Sequence, residues 1–259
     1  MPEGDTVWRT AHHLREVLEG RELVRSDVRV PQWATLDLSG RTVDEVLSRG
    51  KHLLIRVGDA SIHSHLKMEG AWHVLRRGSR WRRPAHTARI VLETEQHQAI
   101  GFSLGLLEVL RREHDDDALA YLGPDLLGPD WDLAEATRRV SADPERPIFV
   151  ALLDQRNLAG LGNEYVNELL FLSGLLPTRP VGEVPDVARV IDRGHRLLDV
   201  NKARVERTFT GSTRHGEDRW VYRREHARCR RCGTPLHHGE LGDEPGRERI
   251  TFWCPHCQT

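Results

Sequence analysis

The sequence predicts an α+β chain of more than one domain, in which a helix leads into a β-sandwich, then a helical segment, then a small cysteine-rich hairpin. Three observations predict it. Short β-favouring runs crowd the stretch from Gly20 to about Leu110, after one amphipathic segment. Beyond a Gly/Pro-rich connector the apolar residues repeat with a helical period. All four cysteines fall in the last 31 residues, as two CxxC pairs.

In the opening "MPEGDTVWRTAHHL", Val7, Ala11, Leu14 and Leu18 are spaced 4, 3 and 4, one face of a helix. Asp5 is placed to cap it and Gly20 to end it. The runs "ELVRSDVRV", "HLLIRV", "SIHSHL", "AWHVL", "ARIVLE" and "LLEVL" then read as strands, separated by Gly, Ser, Pro and Asp. Several strands after a single helix argue for a sandwich or barrel rather than parallel βαβ units. "EHDDD" and "YLGPDLLGPDWD" form the connector. After it "LAEATRRV", "PIFVALLDQ", "NEYVNELLFLSG" and "VPDVARVIDRGHRLLDVNKARV" read as helices, and short strands return around the cysteines. The expected divisions are residues 1–115, a linker at 116–130, a helical domain at 131–218 and the cysteine hairpin at 219–259.

Hydrophobic residues make up 38% and charged residues 30% of 259, which suits a soluble globular protein and excludes a disordered chain. No apolar run approaches a membrane span, and the start lacks the basic and apolar regions of a signal peptide, so a cytoplasmic protein without a membrane partner is expected. The net charge of −1 argues neither way about a polyanionic partner. Its distribution says more. "RRGSRWRR" (Arg76 to Arg83) carries five arginines, and "RWVYRREHARCRRC" (Arg219 to Cys232) carries six against one acid. Either run alone reads as a solvated face. Two of them, with aromatic residues interleaved, raise nucleic acid as a partner.

Cys229-x-x-Cys232 and Cys254-x-x-Cys257 are separated by 21 residues. Each pair lets two thiolates face one ion from a tight knuckle, and two knuckles complete a tetrahedron. A redox dithiol would need a thioredoxin-like βαβ context, which is absent. A structural Zn2+ is therefore expected, with His237, His238 and His256 unnecessary as ligands. The residues between, "TPLHHGELGDEPGRERITFW", read as a hairpin that would display Arg247 and Arg249 to a phosphate backbone. In "LLDQRNLAGLGNEYVNELLFLSGLLPTRP", Gly160 and Gly162 permit a sharp turn between two helices. Asn163 stands where an N-cap belongs. From this stretch a phosphate-binding helix start and an ordinary helical hairpin are both open readings.

"MPEG" at the start, "LLDQRNLAGLGNEYVNE" in the middle and the two CxxC pairs at the end together resemble the formamidopyrimidine-DNA glycosylase/endonuclease VIII family. The similarity runs in order from Pro2 to Gln258. It implies an N-terminal β-sandwich with an initial helix, a helix-two-turn-helix domain, a zinc-finger hairpin, and DNA bound in the cleft between domains. By the same resemblance Pro2, once Met1 is removed, is the nucleophile, Glu3 the catalytic acid and Lys51 in "SRGKHLLI" the β-hairpin lysine. Asn163 and Arg249 hold phosphates, and Glu168 has a supporting role. The implied activity is that of a monomeric bifunctional DNA glycosylase/AP lyase of base excision repair, which removes oxidised bases through a proline Schiff base and β,δ-elimination. Its partner is damaged DNA, whether duplex, bubble or single-stranded, with which it associates in the nucleoid.

"PEGD" is closer to the endonuclease VIII branch than to the formamidopyrimidine branch, which starts "PEL", although Asp5 and Thr6 depart from the residues common to both. Met68 in "HSHLKMEGAW" matches a methionine that fills the space left by a flipped nucleotide. The next void-filling element is "FSLG" (Phe102 to Gly105), where Leu104 can wedge apolarly but no arginine can read the orphaned base. Without the resemblance, Met68 and Leu104 would both read as core. Oxidised pyrimidines and abasic sites are the expected substrates. Oxidised purines, or damage binding without catalysis, are the competing expectations.

Overall fold

The computed structural model describes residues 2–259, so the expected removal of Met1 concerns a residue outside the described ones. The chain forms two compact units, one ending at Ala120 and the other running Tyr121–Thr259.

The first unit opens with helix α1 (Gly4–Leu18), which buries Val7, Ala11, Leu14 and Leu18, the face anticipated from their spacing. The helix begins earlier than expected. Glu3 is the N-cap residue, without a side-chain cap bond, and Asp5 lies buried inside the first turn. There its charge still complements the helix dipole. Gly20 follows the C-cap at φ 73°, a left-handed conformation that glycine adopts without steric cost.

Eight strands follow: β1 (Arg25–Val28), β2 (Val43–Arg49), β3 (His52–Val57), β4 (Ala60–His65), β5 (Ala71–Arg76), β6 (Ala88–Glu93), β7 (His97–Phe102) and β8 (Leu106–Arg111). They build two four-stranded antiparallel sheets, ordered β2-β3-β4-β8 and β1-β6-β7-β5. Val46, Ile55 and Ile62 from one sheet meet Ile90, Leu92 and Ala99 from the other, with α1 in the same core. Burial of this apolar surface is the main stabilising force of the sandwich. Strands β2 and β7 were not among the expected runs. "VDEVLSR" carries acids that strands disfavour, and "HQAIGF" mixes polar residues with a glycine.

The second unit holds helices α2 (Leu133–Val140), α3 (Ile148–Leu153), α4 (Asn163–Ser173) and α5 (Val187–Lys202), then the antiparallel hairpin β9 (His237–Leu241) and β10 (Arg249–Trp253). Asp132 and Asp186 cap α2 and α5 by accepting from the third backbone N–H beyond them. Helix α4 is buried almost throughout, from Glu164 to Phe171, and is the axis of this unit's core. A smaller cluster of Phe171, Val221, Tyr222, Leu236 and Phe252 surrounds Cys229 and Cys254. Among the described residues no helix is long and apolar enough to cross a membrane.

Candidate active site and metal centre

Pro2 is half-buried immediately before α1, and the neighbouring Glu3 is fully buried. Glu3 takes an extended backbone (φ −126°, ψ −171°), and its carbonyl accepts from Val7 N at 3.1 Å, the first turn of the helix. The other end of α1 is fixed to β2. Arg15 donates from Nε and Nη2 to the Val46 carbonyl (3.1 and 2.7 Å), and Val46 N donates to Glu19 Oε2 (3.0 Å). Strand β2 then turns through Gly50 (φ 57°) into the half-buried Lys51. The helix that begins beside Pro2 and Glu3 and the hairpin that carries Lys51 thus share one clamped element.

Directly after Lys51 lies a polar relay that the sequence reading missed. His52 Nδ1 is 2.8 Å from His63 Nε2, and His63 Nδ1 is 2.8 Å from Glu108 Oε1. A carboxylate can only accept, so His63 donates from Nδ1 to Glu108, while His52 Nδ1 and His63 Nε2 share the other hydrogen bond. His65 meets the His52 ring edge-on at 4.9 Å. Burial, with His63, His65, Lys67 and Lys51 nearby, pulls His52 down to about 3. His52 is therefore neutral in the folded protein at neutral pH. Since an unfolded histidine titrates near 6.5, the unfolded chain binds the extra proton first. Stability contributed by His52 is present above that value and is lost as pH falls toward 3. Urea midpoints measured from pH 7 to pH 4 are expected to fall for the wild type. His52→Gln removes up to about 1.4 kcal/mol per pH unit of that slope, one proton's worth. Parallel curves for the two proteins would contradict the neutral assignment.

Met68 and Leu104 part company. Met68 is 61% exposed in the turn after β4, whereas Leu104 is 8% exposed in the sandwich core. The Leu104 side chain packs over Gly101, where even one added carbon would lie 2.6 Å from Leu104 Cδ1. The two turns nonetheless touch. Gly105 abuts the Lys67 side chain, leaving no room for a Cβ. Lys67 and Ser103 both hold left-handed backbones (φ 53° and 47°), strain of the kind that concentrates at functional turns.

In the second unit the α3–α4 connection is organised by Gln155. Its Nε2 donates to the Leu153 and Leu161 carbonyls (2.8 and 2.9 Å), and its Oε1 accepts from Gly160 N (3.1 Å). Gly160 takes φ 116°, which only glycine adopts readily. Gly162, not Asn163, is the N-cap of α4, so Asn163 is the first helical residue. Its amide donates to the Ile250 carbonyl at 3.0 Å. One turn on, buried Asn167 donates to the Asn163 carbonyl (2.7 Å) and accepts from Thr251 Oγ1 (3.1 Å) and Phe252 N (2.6 Å). These two asparagines hold strand β10, so the start of α4 and Arg249 at the start of β10 belong to one frame. Their i, i+4 spacing in "NEYVNE" was the available signal. Arg249 is exposed and has no carboxylate partner among the described residues, whereas Arg247 pairs with Glu244 at 2.9 Å. Of the two arginines expected to be displayed, Arg249 is the one with its charge available.

Glu168 is fully buried and accepts from the backbone N–H groups of Trp220, Val221 and Tyr222 at 2.8–2.9 Å. Burial pushes its carboxyl up to about 7, against the three donors, which favour the charged form. It anchors the segment entering the cysteine knuckle. Glu164, also buried, accepts from Arg207 and Arg219 at 2.7 Å each, a network not anticipated from sequence.

The four cysteine sulfurs lie within 4.8 Å of one another, with Cys229–Cys257 at 3.9 Å and Cys232–Cys254 at 3.4 Å. Metal–sulfur bonds of about 2.3 Å in a tetrahedron put sulfurs about 3.8 Å apart, so the set fits a metal ion closely. Gln258 accepts from Cys254 N and donates to the Leu175 carbonyl, both at 2.8 Å, tying the second knuckle to the helical core.

Known proteins are similar to this chain. The profile of the formamidopyrimidine-DNA glycosylase N-terminal domain matches residues 1–103, and that of the formamidopyrimidine-DNA glycosylase H2TH domain matches residues 122–199. A Mycolicibacterium smegmatis protein named DNA-(apurinic or apyrimidinic site) lyase Nei2 is 57% identical over 259 residues, covering 100% of this chain and 99% of its own. A Mycobacterium tuberculosis protein named Endonuclease 8 2 is 52% identical over 262 residues, with 100% of both covered. The crystal structure of Lactococcus lactis formamidopyrimidine-DNA glycosylase bound to DNA containing an abasic site superposes with a TM-score of 0.80 at 22% identity, covering 100% of both chains. At that identity the likeness speaks for the fold.

Proposed function

The chain belongs to the formamidopyrimidine-DNA glycosylase/endonuclease VIII family, and we propose that its chemistry starts at the Pro2 amine, with Glu3 as proton donor. It is a DNA glycosylase and DNA-(apurinic or apyrimidinic site) lyase of base excision repair. The observation that carries the assignment is the fully buried carboxyl of Glu3 beside Pro2, at the start of a helix clamped to the Lys51 hairpin.

The target nucleotide is flipped out of the duplex, because C1′ is shielded within the stack. With Met1 removed, Pro2 presents an α-amine, a class of group whose ordinary pKa of about 7.7–8.0 leaves an appreciable fraction neutral at pH 7. Its lone pair attacks C1′, and the glycosidic bond breaks as the base leaves with a proton. The C1′–O4′ bond then opens, O4′ takes a proton from Glu3, and an iminium remains. The iminium draws in the C2′–H electron pair when that proton is removed, which expels the 3′ phosphate. Loss of a further proton from C4′ expels the 5′ phosphate, and water releases the enzyme. Lys51, Asn163 and Arg249 hold phosphates and set register without reading bases. Met68 fills the vacated space.

Cys229, Cys232, Cys254 and Cys257 would hold a Zn2+ ion, which would supply shape to the β9–β10 hairpin and no chemistry. The protein works as a monomer on oxidised pyrimidines and abasic sites. With Leu104 in the core and no arginine in "FSLG", no hydrogen-bonded reader of the opposite base comes from that turn. Single-turnover excision across a panel of thymine glycol, 5-hydroxyuracil, 8-oxoguanine opposite cytosine and an abasic site tests this. The pyrimidine lesions and the abasic site are expected to react at least tenfold faster than 8-oxoguanine. The reverse order would assign the enzyme to oxidised purines.

A further inference from the structure

The arginine-rich run Arg76–Arg83 has no role in the chemistry above, yet it is built as a display surface. No acidic residue occurs between Leu75 and Glu93. Arg77 reaches Glu93 at 3.2 Å, but Arg76, Arg80 and Arg82 are exposed and have no carboxylate partner among the described residues. Elsewhere the protein pairs its arginines freely: Arg56 binds Asp115, and Arg138 and Arg139 share Glu135. Like charges on one loop without counter-charge repel one another, a cost that a polyanion would relieve.

The loop is also held in place, unlike a run of charge that serves only solubility. Trp81 Nε1 donates to Gln98 Oε1 at 2.9 Å, and Gln98 Nε2 donates back to the Arg76 and Ser79 carbonyls at 3.1 and 2.8 Å. The Trp81 ring meets Phe102 edge-on at 5.7 Å, with Arg29 over it at 5.2 Å. Arg80 and Arg82 flank this anchor and remain exposed. Arg83 Nη1 donates to the Glu69 carbonyl at 3.0 Å, which ties the loop to the residue after exposed Met68. The charge of Arg83 and Arg82 is felt at His73 on β5, whose proton affinity they lower after burial has done so. The basic loop and the Met68 turn are therefore one connected surface of the first unit.

We propose that Arg76, Arg80 and Arg82 form a phosphate-binding platform that holds the DNA backbone flanking the damaged nucleotide, extending the footprint beyond Lys51, Asn163 and Arg249. The proposal rests on the reading of Met68 as the residue that enters the DNA. Guanidinium groups on an anchored loop suit phosphate oxygens, and three such contacts are sequence-independent.

The test compares wild type with the triple variant R76Q/R80Q/R82Q. Binding is measured from 50 to 300 mM salt on a duplex carrying a tetrahydrofuran abasic analogue and on an undamaged duplex of the same length, alongside single-turnover cleavage of an abasic duplex at saturating enzyme. Each lost phosphate contact lowers the salt slope by about 0.9, so the slope is expected to fall by about 2–3 on both duplexes. Affinity is expected to weaken at least tenfold, while the saturating cleavage rate stays within twofold. A slope and affinity equal to wild type would overturn the platform and leave an acidic protein surface as the occupant to seek. Binding lost on the damaged duplex alone would also overturn it, since phosphate contacts do not depend on the lesion. A wild-type protein that binds both duplexes but never cuts would sink the lyase assignment and leave the platform standing.

Discussion

A Glu3→Gln protein is expected to lose excision of a damaged base by about 10²- to 10⁴-fold, the range that a positioned general acid supplies. Glutamine keeps the shape of the side chain, which matters because Glu3 is fully buried. It should not unfold α1 through loss of a cap, since the Glu3 side chain makes no cap bond and the helix is held by Arg15, Glu19 and the buried face from Val7 to Leu18. The loss should therefore appear in the single-turnover rate at saturating DNA and not in affinity. Abasic-site cleavage should fall less, because an abasic sugar already exists partly ring-opened and the Pro2 amine is untouched. Excision at wild-type rate would remove Glu3 from the mechanism. An equal collapse of excision and of the far-UV spectrum would mark it as structural only.

The second large effect is expected from the metal centre. Extracting the ion with a chelator, or changing Cys232 to alanine, should lower DNA affinity by at least 100-fold. Structural zinc binding is worth about 10–16 kcal/mol in small fingers, far more than the sparse cluster of Phe171, Val221, Tyr222, Leu236 and Phe252 can replace. Without it the β9–β10 hairpin loses its frame, and Arg249 with it. The consequence should reach the start of α4, because Asn163 and Asn167 bond to Ile250, Thr251 and Phe252 of that hairpin. The first unit has its own sandwich core and is expected to keep its fold. Metal analysis, fluorescence anisotropy and circular dichroism check the three statements together. Full DNA affinity in a metal-free protein would show that the hairpin does not need its ion.

Much of this architecture is legible in the chain itself. The 4-3-4 spacing of α1 and the two CxxC pairs are local signals, strong because each needs no knowledge of a distant partner. The polar interior was not legible. His63 reads as one residue of an alternating strand until β8 pairs with β4 and places Glu108 opposite it. Asn167 reads as a helical polar residue until β10 arrives beside α4. Helix starts were misplaced by a residue or two at Asp5 and Asn163, since several capping residues stood in a row and packing selected among them. Leu104, at the motif position of a wedge, packs over Gly101 in the sandwich core, a contact that becomes visible only once β7 is in place.

All of the proposed chemistry depends on one bond, between the Pro2 nitrogen and C1′ of the sugar. Borohydride added during reaction with an abasic duplex reduces that iminium to a stable amine, and peptide mass mapping then locates it. The adduct is expected on Pro2 at the N-terminus of a chain that lacks Met1. Strand cleavage without any trapped adduct, or an adduct on Lys51 with Met1 still in place, would contradict the assignment of Pro2 as nucleophile.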